Sequence, residues 1–197
     1  ANVGPIWHDD YNSLMTWQSF TANGASYTGY ASQFVGEIRM ETQPTARTGY
    51  KRVGAETLAL SRSQFSALRA WGLHNGRFVA VGVWQAGTLL MADNADGVTF
   101  RAFDVRGEFP RFWDDGGGVD SGRAFGSYQD DEFKSHNHPI SPGSTKYALS
   151  DPYSTNPAVV LATIQTGVGG GYSNTVAAQG GTETRPRNTA FSAMLKF

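Results

Sequence analysis

A chain of 197 residues is long enough for one sizeable domain or two small ones, so it can bury a core without covalent staples. It has no Cys, which excludes disulfides and thiolate zinc sites and suits folding in a reducing cytoplasm. Sixteen Lys and Arg face seventeen Asp and Glu with no basic stripe, which argues against nucleic acid and anionic membranes as partners, and no apolar run is long enough for membrane insertion.

Charged residues make up only 17% of the chain, aromatics 13%, and Gly, at 24 residues, is nearly twice as frequent as usual. That balance belongs to β-rich, turn-rich proteins, and also to subunits that bury surface against copies of themselves. The start shows no signal-peptide pattern, and it opens at Ala1 without Met, as a piece of a longer protein would.

Residues 1–34 interleave Trp7, Tyr11, Trp17, Phe20, Tyr27, Tyr30 and Phe34 with small polar residues. Short strands are expected, with turns at Ala22-Asn23-Gly24 and near Gly29. His8 beside Asp9 and Asp10 has the residue types of a catalytic pair but no nucleophile near it. Val35–Met40 alternates as a half-buried strand and runs into a loop at Pro44. Ser61 with Gln64 reads as a capping box, and Leu60 with Phe65 as a hydrophobic staple. They open a short helix whose face is Phe65, Leu68 and Trp71, and which Gly72 should end. Its stripe needs a sheet, for which Phe78–Trp84 and Val98–Phe103 are the candidate strands. His74, ahead of Asn75-Gly76, reads as a solvated turn residue. Asp93–Gly97 lacks calcium-loop spacing and reads as a turn.

Asp114, Asp115, Asp120, Asp130, Asp131 and Glu132 hold enough carboxylates for sugar hydrolysis, but Asp beside Gly is first a turn signal. In Ser135-His136-Asn137-His138-Pro139 an extended backbone puts both imidazoles on one side. Two nitrogens do not complete a metal site; three chains around a threefold axis would bring six. A surface loop with two solvated histidines is the other reading of these residues.

From Pro139 to Gly180 the composition shifts to Ser, Thr, Asn, Gly, Pro and Tyr. Lys146, Tyr147, Asp151, Tyr153, Ser154, Asn156, Tyr172 and Asn174 supply the flat rings and short hydrogen-bonding groups that sugars require, although self-packed turns have the same composition. Val159–Ile164 reads as a buried strand. Gly167–Gly171 lacks the following helix that a phosphate cradle needs. The final Ala190–Phe197 alternates poorly but is apolar enough to return into a core.

Two further stretches carry a resemblance. They are Asp104-Val105-Arg106-Gly107-Glu108-Phe109-Pro110-Arg111-Phe112-Trp113-Asp114 and Glu183-Thr184-Arg185-Pro186-Arg187-Asn188. They resemble the collar-type domain that ends the fibres of contractile-tail phages and R-type pyocins, with its Asp-Leu-Arg-Gly-x-Phe-Pro-Arg-Gly-Trp-Asp pattern and closing Glu-Thr-Arg-Pro-x-Asn. Val35–Met40 and the Leu60–Leu68 stretch are similar to the start of that domain, so the likeness covers roughly residues 35–138 and 180–197. Phe112 departs from it, since the family usually has Gly there.

The resemblance implies a mainly β, α+β collar-like domain with one short helix and an intertwined β tip, built as a parallel homotrimer. Its divisions would be a connector to the fibre shaft at 1–34, the collar-like domain at 35–135, a metal-binding and receptor-binding tip at 136–182, and a return strand at 183–197. His136 and His138 would hold one Fe2+ per trimer, with Zn2+ the alternative, and six imidazoles favour an octahedral iron. Because His-x-His occurs once, any needle is short or absent. Arg106, Arg185, Arg187 and Asn188 would be architectural, the latter two arginines reaching carboxylates such as Asp104, Glu108 or Asp114. Implied partners are two identical chains, host lipopolysaccharide and a dedicated fibre assembly chaperone. The implied location is the distal end of a virion tail fibre, assembled in the bacterial cytoplasm. The implied role is adsorption without chemistry; a polysaccharide-degrading or deacetylating tail enzyme is the alternative.

Overall fold

The computed structural model describes residues 1–22, 25–132 and 188–197. In chain order the strands are β1 (Ile6–His8), β2 (Ser13–Ala22), β3 (Ala25–Ser32), β4 (Ile38–Glu41), β5 (Tyr50–Arg52) and β6 (Leu60–Ser61); then come α1 (Ser66–His74), β7 (Phe78–Val79), β8 (Met91–Asp93), β9 (Thr99–Arg101) and β10 (Ser192–Lys196). A 3-10 turn at Asp9–Tyr11 joins the first two strands. The fold is mainly β with one short helix.

The two long strands come from the aromatic and Ser/Thr alternation of the first segment. β2 and β3 pair antiparallel from Met15↔Ser32 to Ala22↔Ala25, with β1 on the other side of β2. No turn forms at Gly29, which sits inside β3 opposite Gln18. The Tyr27 ring covers it, its hydroxyl 3.1 Å from where a Cβ would stand, so the missing side chain makes room for a ring. Within residues 1–34, β1, β2 and β3 form a sheet on which α1 packs.

The second sheet has the order β4-β10-β5, and the third β6-β9-β8-β7 with its one parallel pair at β7 and β8. β10 is central, so Met194, Leu195 and Lys196 are all buried. A strand covered on both faces has no reason to alternate, which explains its irregular sequence.

α1 begins at Ser66, four residues later than a cap at Ser61 would place it. Ser61 Oγ does accept the Gln64 N–H at 3.4 Å, but that bond closes a turn ahead of the helix. Gly72 does not end it. The Gly76 N–H donates to Leu73 O and the Arg77 N–H to Gly72 O, the double closure of a left-handed glycine cap, and Gly76 has φ +65°. Gly72 lies within the helix because a Cβ there would stand 2.5 Å from Met91 Sδ. The expected strands at 35–40, 78–84 and 98–103 form only in part, as β4, β7 and β9.

Phe20, Ala31, Leu68, Met91, Phe100 and Leu195 join one buried cluster that draws on all three sheets and the helix. Phe65 sets its ring edge-on to Phe197, with centroids 4.9 Å apart. The chain divides into two compact units, Ala1–Gln129 with Asn188–Phe197, and Asp130–Arg187.

Candidate functional site

His136, His138, Lys146, Tyr147, Asp151, Tyr153, Ser154, Asn156, Tyr172, Asn174, Arg185 and Arg187 lie outside the described residues, as do Val159–Ile164, Gly167–Gly171 and the turn residues Asn23 and Gly24. Among the described residues no three His, Cys, Asp or Glu side chains gather as a metal group. Of the named site residues, Arg106 and Asn188 are described. Asn188 is exposed, ahead of β10.

Arg106 is held as an architectural residue would be. Its guanidinium makes a two-pronged bond to Asp104, Nε to Oδ1 at 2.8 Å and Nη2 to Oδ2 at 2.7 Å. This bond is the main reason the buried Asp104 carboxyl is held below the usual carboxylate range. Gly54, at φ +83°, lies under the Arg106 side chain, so that a Cβ would sit 2.1 Å from Nε. Its N–H donates to Thr57 Oγ1, whose hydroxyl donates in turn to Phe103 O. The motif arginine therefore seals a glycine turn and joins the β5–β6 connection to the end of the third sheet.

The stretch after it is loop backbone tied by its own polar residues. Asp114 accepts the N–H groups of Gly118 and Val119, at 2.9 and 3.0 Å, and these bonds hold its carboxyl below the ordinary range. Asp120 pairs with Arg123 at 3.0 Å and with Arg111 at 3.4 Å. The carboxylates here act in turns and ion pairs. Trp113 and Phe125 meet edge-on at 5.4 Å, and Arg77 lies over Phe125. Even so, Phe109, Phe112, Trp113, Val119 and Phe125 remain exposed, Phe112 completely. Phe112 is not at positive φ, so its backbone carries no left-handed strain.

The histidines outside the motif have local partners. His74 Nδ1 lies 3.0 Å from Thr21 O and its ring packs near Phe20, so it ties α1 to β2 and is more than a solvated turn residue. His8 stands edge-on to Tyr11. Asp93–Gly97 is the expected turn, with Asp96 accepting the Val98 and Thr99 N–H groups.

Lys196 went unnoticed in the sequence. It is 1% exposed, donates to Gly49 O at 3.0 Å and to Tyr11 O, and lies 4.8 Å from the Tyr50 ring centroid. Burial lowers its ammonium to about 8, against a partial opposing pull from Glu37. Only its position between the apolar Ala193-Met194-Leu195 and Phe197 hinted at this. Enclosed and donating to two backbone carbonyls, the residue serves as a structural cation. Compared with protein-family models, curated proteins and solved structures, the chain matches none.

Proposed function

We propose that the chain is the receptor-binding end of a phage or pyocin tail fibre, a parallel homotrimer that attaches a particle to host lipopolysaccharide without chemical turnover. The observation that carries this reading is the pair of collar-like motifs. The first contains Arg106, clamped on Asp104 over Gly54, and the second ends at Asn188, a few residues before the buried central strand β10. One compact unit holds both flanks of the segment 130–187, which supports the view of a rigid scaffold carrying an excursion rich in recognition residues. The exposed aromatics between Phe109 and Phe125 support self-association, since solvated monomers rarely leave that much apolar surface in one stretch.

In this reading His136 and His138 of three chains hold one iron, with zinc as the alternative, and the role of the metal is structural. Sugar contacts by the tip multiply over three sites per fibre. Elemental analysis combined with light scattering tests the assembly: one metal per three chains is the expected result, and a metal-free monomer would refute it. Incubation with purified lipopolysaccharide tests the absence of chemistry, since release of reducing ends would move the chain to the polysaccharide-modifying class.

A further inference from the structure

We infer that the first unit carries a binding groove for an anionic saccharide, separate from the 139–180 excursion. A concavity of about 300 Å³, the lower end of the range for small-molecule sites, is walled by Trp7, Leu14, Phe34, Arg39, Arg47 and Tyr50. Strand pairing assembles it: Trp7 stands opposite Leu14 across β1 and β2, while Arg39 lies on β4 and Tyr50 opens β5.

The aromatic walls are available. Trp7 is 61% exposed and Phe34 48%, and the indole N–H of Trp7 donates to Asp9 Oδ1 at 2.7 Å, which fixes the ring plane. Oriented, half-exposed rings suit the apolar face of a pyranose.

Charge sets the class of sugar. Arg39 and Glu41, two apart on β4, project to the same face, and Arg47 reaches the same carboxylate from the loop before β5. Arg39 Nε lies 3.0 Å from Glu41 Oε1 and Arg47 Nη2 2.9 Å from Oε2. Glu41 is 5% exposed and forms no part of the groove wall; it forms ion pairs with both guanidinium groups, although its Oε1 accepts no hydrogen bond, and its one charge neutralises one of the two cations. Each fork has five N–H donors and spends few of them here. The walls therefore hold two cations and no carboxylate, and a ligand carboxylate or phosphate would complete the charge. The choice of a saccharide over another anionic ring rests on the tail-fibre reading; the anion itself rests on the arginines.

Calorimetry of the 197-residue chain with glucuronate, glucose 6-phosphate, glucose and AMP tests the groove. Glucuronate, glucose 6-phosphate or both should bind at least tenfold tighter than glucose, and the tighter of the two names a uronic acid or a phosphorylated sugar as the source. Arg47→Gln, nearly half exposed and with its fold checked by circular dichroism, should lose that preference, and Trp7→Ala should weaken both acids. Binding of both acidic sugars no tighter than glucose, or unchanged binding of the preferred acidic sugar by folded Arg47→Gln, would overturn the site. AMP binding tighter than either acidic sugar would overturn the saccharide assignment. Lipopolysaccharide adsorption of the wild type, measured alongside, reports on the tail-fibre reading independently of the groove.

Discussion

Raising the pH from 7.5 to 9.5 should stabilise the unit that contains Lys196. Its ammonium sits at about 8 in the folded chain against an ordinary 10.5, because burial removes water that three aromatic rings and two carbonyls only partly replace. The unfolded chain then binds the proton more tightly, so the penalty is fully present below about pH 8 and fades as the pH climbs toward 10.5. Linkage with these two values gives a gain of about 2 kcal/mol between pH 7.5 and 9.5, or a melting temperature higher by on the order of 5 °C. The window closes there because Tyr27, raised above 10 by burial, pulls the other way at higher pH. Lys196→Met removes the buried charge but leaves Tyr11 O and Gly49 O without their donor, at roughly 1–3 kcal/mol each. The variant should melt lower at neutral pH, and its alkaline gain should vanish. Thermal melts of both proteins followed by circular dichroism at several pH values decide the matter. A wild type that stays flat or loses stability across the window, or a methionine variant with the same rise, would show that Lys196 keeps its hydration and that the reasoning fails.

Gly54→Ala should cost roughly 1–3 kcal/mol in chemical denaturation, because φ +83° is left-handed and the new Cβ meets Arg106; an unchanged midpoint would mean that the clamp is idle. Asp104 and Asp93 are held below the carboxylate range chiefly by bonds from Arg106 and Arg69, so their stabilisation is present above about pH 4 and is lost as pH falls through their lower folded values. Arg106→Gln should flatten part of that acid decline, and an identical acid profile would contradict it. His138→Ala should give a trimer that loses metal and melts earlier, which elemental analysis and calorimetry would register; unchanged metal content counts against the proposed cage. Removing residues 188–197 should unfold the first unit, since burying Met194 and Leu195 alone is worth about 3–6 kcal/mol of a total that rarely exceeds about 15; a cooperative melt in the truncated chain would sink that expectation.

The class of fold was legible in the sequence, while the extent of the elements was not. The Phe65, Leu68 and Trp71 spacing located the helix, and Asp93–Gly97 located a turn, because both signals are written in residues that touch one another. The end of the helix was misplaced at Gly72 for the opposite reason. A glycine there is a cap signal locally, but Met91 and Phe78, on strands later in the chain, require the missing Cβ. Gly29 misled in the same way, its smallness serving the Tyr27 ring. At Val35–Met40 the alternation was real, yet the first half of the stretch became a turn, with the Val35 N–H donating to Ser32 O and the Glu37 N–H to Phe34 O.

The features with the sharpest electrostatics left almost no sequence trace, and topology explains why. Lys196 is the penultimate residue, yet its partners are Tyr11 and Gly49, because the last strand inserts between β4 and β5. Arg39 and Arg47 look like scattered surface charges until one sees that both turn on a buried glutamate. Periodicity reports only what neighbours along the chain share, whereas the Lys196 site is closed by a pairing that spans the length of the unit. A buried cation and a buried carboxylate both carry desolvation costs that their partners must offset. For Lys196 the two carbonyls supply a structural reason. For Glu41 the orientation of two half-exposed arginines is the effect left to explain its burial, and that orientation is what an anion would meet.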